Sequence, residues 1–237
     1  MYRVERAIVM AAGFGKRLQP LTLETPKPLI KVNGIRMIDS VISALHENGI
    51  YEIYIVVGYK KEQFQTLEVE YPGVKLIENP YFDTCNNISS LYVAREHIKN
   101  AIILDADQIV IDKKALDCEF EKSGYNAICV TEHTDEWVMQ VENDRVIECS
   151  PTGGDSGWQL FSVSRWNESD GEKLRTLLEQ EFESGNRQVY WDDVPMTLHL
   201  DEFDLGIKEM NRGAVIEIDN LEELKEIDPS YRDEGKK

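Results

Sequence analysis

Six apolar residues in a row, Ala7 to Ala12, run into a glycine. That pattern predicts a strand buried on both faces. Ile53 to Val57, Val74 to Ile77 and Ala101 to Leu104 read the same way. Between them the apolar period lengthens. Met37, Ile38, Val41, Ile42 and Leu45 form a helical stripe within Met37 to Glu47. Lys60 to Glu70 reads as a helix, as does Asn87 to Ile98 with Leu91, Val93, Ala94 and Ile98 turned inward. Alternating strands and helices imply a mostly parallel sheet with right-handed crossovers. Beyond about residue 125 the texture changes to short strands: Ala127 to Thr131, Trp137 to Glu142, Arg145 to Cys149 and Gln159 to Val163. Asn143-Asp144 is a hairpin turn between two of them. An amphipathic helix over Glu168 to Glu183, a strand over Ala214 to Ile218 and a helix over Leu221 to Ile227 follow. No linker rich in Gly, Pro or Ser divides the chain. The expectation is one α/β domain whose second half is mixed and rich in strands.

Composition narrows the function classes. The 237 residues carry a formal net charge of −18, a field that repels nucleic acids and anionic membranes but leaves room for a local anion site. No apolar run reaches the length of a membrane span or a signal segment. Cys85, Cys118, Cys129 and Cys149 show no CxxC spacing, so they read as free, buried thiols of a reducing cytoplasm rather than as a zinc site.

The candidate chemistry begins at Met10-Ala11-Ala12-Gly13-Phe14-Gly15-Lys16-Arg17-Leu18. A P-loop needs Ser or Thr where Arg17 stands, and a dinucleotide loop needs a third glycine where Leu18 stands. What remains is a Gly-x-Gly turn after a strand, followed by two cations. A third, Lys27, lies between Pro26 and Pro28. Glycines let backbone N–H groups approach an anion and the cations add charge, as a triphosphate grip requires; a tight turn with solvated cations is the plainer alternative. Asp105 and Asp107 end a buried strand on one face, where α/β sheets bind ligands and where Mg²⁺ finds hard oxygen donors. Asp219 ends the last strand, although capping of the next helix explains Asp219 or Asn220 equally well. The four histidines form no nucleophile–base arrangement and read as mostly solvated.

Ala11-Ala12-Gly13-x-Gly15-x-Arg17 together with Thr25-Pro26-Lys27-Pro28 resembles the signature of the nucleotidyltransferases that make NDP-sugars and CDP-alcohols. Continued through "VVGYKKEQF", "NNISSLY", "LDADQ", "EHTDEWVM", "YWDDV" and "EIDN", it is similar to the bacterial CTP:phosphocholine cytidylyltransferases of the LicC type. The resemblance implies a Rossmann-like nucleotidyltransferase fold: a mixed, mostly parallel central sheet flanked by helices, with a small β-rich acceptor-binding part. Residues 1–125 would mainly bind nucleotide and 126–237 mainly acceptor. It implies Mg²⁺-dependent transfer from CTP to phosphocholine, with Arg17, Lys27 and Asp107 catalytic and Asp107 and Asp219 holding the metal. The nucleotide would lie against Ala11, Ala12, Gly13, Phe14, Gly15 and Lys16, near Asn86, Ser89, Asp105 and Ala106, with Asp105 behind the direct ligands. Trp137, Tyr190, Asp192 and Glu217 would surround the choline. A quaternary ammonium has no N–H to donate, so aromatic faces and nearby carboxylates suit it, at roughly 0.5–2 kcal/mol per aromatic contact. Two departures are Cys85, where an aromatic is expected before Asn86, and the segment "SPTGGDSGWQLF" with Trp158. Phosphoethanolamine, 2-aminoethylphosphonate or a sugar 1-phosphate are alternative acceptors, and a non-catalytic nucleotide-binding module is the alternative of another class.

Overall fold

The computed structural model describes residues 1–233. Strand β1 (Arg6–Ala11) is buried from Ala7 onward because neighbours cover both its edges and both its faces. Helix α1 (Met37–Glu47) lays Ile38, Val41, Ile42 and Leu45 on the sheet. Strand β2 (Glu52–Val57) follows. The helix expected over Lys60 to Glu70 is broken: a 3-10 turn (Lys61–Phe64) precedes the short α2 (Thr66–Glu70). Its start is set by Lys60, which turns the chain at φ 50°. Then come β3 (Val74–Glu78), α3 (Ile88–Ala94) and β4 (Ala101–Asp105). Helix α3 is shorter than expected, tightening to a 3-10 turn at Arg95–His97, and Val93 is only half-buried.

The second half contains β5 (Gln108–Val110), β6 (Gly124–Val130), β7 (Val138–Glu142), β8 (Arg145–Ser150) and β9 (Gly157–Trp166). Asn143 and Asp144 join β7 to β8 at φ 49° and 60°, the pair of left-handed residues that matches the strand twist of a tight hairpin. Helix α4 (Glu168–Ser184) starts at Asn167, whose Oδ1 accepts from Asp170 N at 2.9 Å, and ends at Gly185. Strands β10 (Gly206–Glu209) and β11 (Val215–Glu217) and helix α5 (Leu221–Ile227) follow.

The main sheet has nine strands, ordered β8-β7-β9-β4-β1-β2-β3, with β6 on the other edge of β9 and β10 beside β6. Strands β3, β2, β1 and β4 are mutually parallel, whereas β9 runs antiparallel to β4. Along β1, Ala7, Val9 and Ala11 face the α1 side, while Ile8 and Met10 face α3 and α4. The chain leaves β1 towards β2 on one edge and returns at β4 on the other. A cleft therefore opens at the carboxyl ends of β1 and β4.

Two minor expectations are corrected. None of the cysteines is buried: Cys129 is exposed and the other three are half-buried. Cys129 faces outward because Ile128 and Val130, its neighbours on β6, take the inward side. His199 lies between Glu181 and Glu202, at 2.8 and 3.0 Å, and His97 stacks on Tyr54, so neither is simply solvated.

Candidate active site

The loop after β1 turns at Gly15, which is left-handed at φ 61°. A Cβ there would stand 2.9 Å from both Lys27 Cβ and Thr22 Cγ2. Glycine thus serves two needs: the backbone conformation and the close approach of the Lys27 segment. Thr22 Oγ1 donates to Gly15 O at 3.0 Å, and fully buried Leu18 anchors the loop from below. Lys27 opens a 3-10 turn between its two prolines and is 7% exposed.

Strands β5 and β11 pair antiparallel, with Gln108 opposite Glu217. That register delivers Asp107 and Asp219 side by side. Asn220 caps α5, accepting from Glu222 N and Glu223 N. Asp219 is left free to face the loop. Lys27 Nζ donates to Asp107 Oδ2 at 2.6 Å and to Asp219 Oδ1 at 3.1 Å. Arg17 Nη2 donates to the same Asp219 oxygen at 2.8 Å. Burial disfavours the Lys27 charge, but the two carboxylates outweigh it and hold the ammonium's pKa above its ordinary value.

Two cavities meet here. The first, about 360 Å³, is lined by the loop from Gly13 to Arg17 with Lys27, Asp107 and Asp219. The second, about 240 Å³, is lined by Asp105, Trp137, Tyr190, Asp192 and Glu217 among others. Arg17, Asp107 and Asp219 belong to both, so whatever fills the two cavities meets at these three side chains. Trp137 and Tyr190 stand perpendicular, ring centroids 6.2 Å apart. Asn87 Oδ1 accepts from Trp191 N at 2.8 Å, tying the Tyr190–Asp193 turn to the start of α3. That turn runs into a single π-helical turn, Val194–Leu198. Trp191 itself is core, packed against Tyr125 and Trp166.

The second cavity carries six carboxylates, those of Asp105, Asp107, Glu136, Asp192, Glu217 and Asp219, against one cation, Arg17. Burial pushes Asp192 up to about 7, with Asp193 adding to it. Burial, then the charges of Asp107 and Asp219, push Glu217 up to about 8. Asp105 is raised well above the usual carboxylate range by burial and by Asp107, and Glu136 is raised by burial and by Asp219. Asp192 lies beside the equally buried Tyr125 hydroxyl, whose hydrogen bond works against the rise at Asp192. Such a site favours a cationic ligand that restores balance.

Most residues singled out from the sequence converge on these cavities, and Asp105 lies on the wall of the second one. Ser89 does not line either: it is buried, accepting from Asn79 Nδ2 and donating to Asn86 O. Asn86 is engaged with Gln188 O and Asn87 N, and Ala106 N is bonded to Met10 O. Ala12 is buried beneath the loop. Glu136, Asn87, Leu160 and Ser162 line the second cavity without having been singled out. Only Glu136 carried a signal, as the neighbour of Trp137 in an acidic run.

The carboxylate pair suits a hard divalent cation. Oxygens of Asp107 and Asp219 converge on one Nζ, a position of cation size. Mg²⁺ characteristically takes one or two carboxylates and completes its shell with phosphate oxygens and water. Among the described residues no group of three or more His, Cys, Asp or Glu is arranged to hold a metal.

Residues 7–189 match the model of the MobA-like NTP transferase domain. The chain is 37% identical to a 2-aminoethylphosphonate cytidylyltransferase of Lancefieldella rimae, over 95% of this chain and 92% of the relative. It is 32% identical to a choline-phosphate cytidylyltransferase of Streptococcus pneumoniae, over 97% of this chain and 100% of the relative. The solved structure of CTP:phosphocholine cytidylyltransferase (LicC) from Streptococcus pneumoniae superposes with a TM-score of 0.89 at 32% identity, covering 96% of this chain and 99% of that one.

Proposed function

The chain belongs to the MobA-like NTP transferase family and is a nucleotidyltransferase, and from that premise we propose that it transfers the cytidylyl group of CTP to phosphocholine. The products are CDP-choline and pyrophosphate. The observation that carries this reading is the second cavity: perpendicular Trp137 and Tyr190 with Asp192 and Glu217, adjoining the Arg17–Lys27–Asp107–Asp219 cluster. The aromatic faces and carboxylates accept a trimethylammonium group, and the cluster accepts phosphates.

An oxygen of the acceptor phosphate attacks the α-phosphorus; a P–O bond forms there, and the bond to the β-phosphate oxygen breaks, releasing pyrophosphate. A phosphomonoester has a second pKa near about 6, so the attacking oxygen is already ionised at neutral pH and needs no protein base. The chain's task is to hold two anions in line and offset their charge. Arg17, shared by both cavities, bridges acceptor phosphate and α-phosphate. Lys27 and the loop N–H groups hold the triphosphate. Asp107 and Asp219 would hold Mg²⁺, whose charge would further offset that of the phosphate oxygens. The setting is a bacterial cytoplasm, and the partners are small molecules rather than nucleic acid or membrane. Among the described residues no helix is long and apolar enough to cross a membrane.

A second acceptor, 2-aminoethylphosphonate, is favoured by the relative that is 37% identical and by the excess of carboxylates lining the second cavity, to which a primary ammonium can donate N–H groups and a trimethylammonium cannot. Pyrophosphate release, measured with CTP against phosphocholine, phosphoethanolamine, 2-aminoethylphosphonate and sugar 1-phosphates, decides between them. A kcat/KM for phosphocholine below that for 2-aminoethylphosphonate would overturn the first reading. Turnover with sugar 1-phosphates alone would overturn both.

A further inference from the structure

The Lys27 ammonium stands where the metal ion is assigned. Its Nζ lies 2.6 Å from Asp107 Oδ2 and 3.1 Å from Asp219 Oδ1, and its side chain is only 9% exposed. The Arg17 guanidinium takes the same Asp219 oxygen at 2.8 Å. Two carboxylates are thus matched by two cations, and the inner face of the pair is filled by an amine that water hardly reaches. A divalent ion approaching this arrangement finds no free convergent oxygen pair, because the charges of Asp107 and Asp219 are already taken by Lys27 and Arg17. To bind, it must expel a desolvated ammonium from its hydrogen bonds.

The Lys27 backbone cannot retreat. Pro26 and Pro28 flank it, its turn is closed by Leu29 N on Pro26 O and Ile30 N on Lys27 O, and its Cβ packs against Gly15. The four-carbon side chain can still swing. Because Gly15 brings the phosphate loop against the Lys27 stem, the ammonium can address either the carboxylates or an anion in the first cavity.

We propose that Lys27 is an internal counter-ion that keeps the Asp107–Asp219 pair closed to metal until a triphosphate draws Lys27 and Arg17 onto its own oxygens. Nucleotide binding then creates the metal site, and by linkage the metal tightens the nucleotide by the same factor. The pair supplies only two protein ligands, so the phosphates that uncover it also complete the coordination shell. This rests on the reading that Asp107 and Asp219 are the metal ligands, and the experiment separates the two ideas.

Mn²⁺ binding to the nucleotide-free protein is measured by the loss of the free-ion EPR signal, for the unaltered chain, Lys27→Met, Lys27→Gln and the double variant Lys27→Met/Asp107→Asn. The unaltered protein should bind weakly. Both single variants should bind at least about tenfold more tightly, because they leave the carboxylate pair uncompensated. The double variant should lose that gain. Equal affinity in the unaltered chain and both single variants would overturn the counter-ion role while leaving the metal ligands in place. A gain that survives Asp107→Asn would instead overturn the ligand assignment and the proposal with it. Thermal melts establish that each variant is folded. Should neither Lys27 variant fold, Arg17→Met, whose side chain is 68% exposed, should give a smaller gain of the same sign, and no gain there would overturn the proposal.

Discussion

Replacing Asp192 by Asn should stabilise the ligand-free protein while weakening its grip on the acceptor. Burial raises this carboxyl from its ordinary 3.8 to about 7. The folded chain therefore holds the proton more tightly than the unfolded chain does, and deprotonation costs the folded state. By linkage that cost grows as pH rises from about 4 to about 7 and then levels off. At 1.36 kcal/mol per pKa unit, the upper bound is about 2 kcal/mol at pH 5 and about 4 kcal/mol at pH 8. An amide of the same shape carries no such cost. Asp192→Asn should thus gain stability over the parent, and gain more at pH 8 than at pH 5, by up to about 2 kcal/mol. Urea unfolding of both proteins at pH 5, 6, 7 and 8, without ligands, measures the difference. In parallel, the acceptor KM should rise roughly tenfold or more with the loss of an ion pair in a desolvated site, while the KM for CTP stays put. A stability difference that is the same at pH 5 and pH 8, or a variant less stable than its parent at pH 8, would refute the argument.

Other expectations are quickly stated. Trp137→Ala removes one aromatic wall and should raise the acceptor KM roughly 2- to 30-fold, the span of one cation–π contact, with little change for CTP; steady-state kinetics against each substrate separates the two. Arg17→Ala and Asp107→Asn should each lower kcat at least about a hundredfold, as loss of positioned charge at the phosphates requires; the exposed Arg17 variant should melt near the parent, whereas Asp107→Asn, which takes a carboxylate from the buried Lys27 ammonium, should melt lower. EDTA should abolish turnover and Mg²⁺ or Mn²⁺ restore it, checked by pyrophosphate release. Gly124→Ala places a methyl 1.9 Å from Gly206 O, at a φ of 152° that disfavours side chains, and should cost about 1–3 kcal/mol in denaturant unfolding.

What the chain disclosed in advance follows from which interactions are local. Continuous apolar runs identified the central strands because a strand covered on both faces has no other composition, and Asn143-Asp144 identified the hairpin because few residues tolerate two left-handed positions. The boundaries of α2 and α3 were not legible, since 3-10 tightening at Lys61–Phe64 and Arg95–His97 depends on what packs below. The phosphate loop, Lys27 and Asp107 could be read from residue type and spacing. The choice between Asp219 and Asn220 could not, because both residue types cap helices; only the pairing of β5 with β11 shows which one turns to the loop. Asn87, Leu160 and Ser162 join the acceptor cavity through folding alone, and Ser89, in a promising motif, is absorbed by Asn79 and Asn86.

The reach of the Arg17–Asp219 bond has a bearing on how the protein is made. The two residues are 202 positions apart, and Lys27 and Asp219 are 192 apart. At about 5–20 residues per second, a ribosome delivers Asp219 roughly ten to forty seconds after Lys27. Throughout that interval the loop and its lysine lack the second carboxylate, and for nearly all of it the small β5–β11 ribbon has at most one of its strands. A nascent chain can acquire the strands that precede β5 early, yet it cannot turn over CTP until Asp219 has left the exit tunnel.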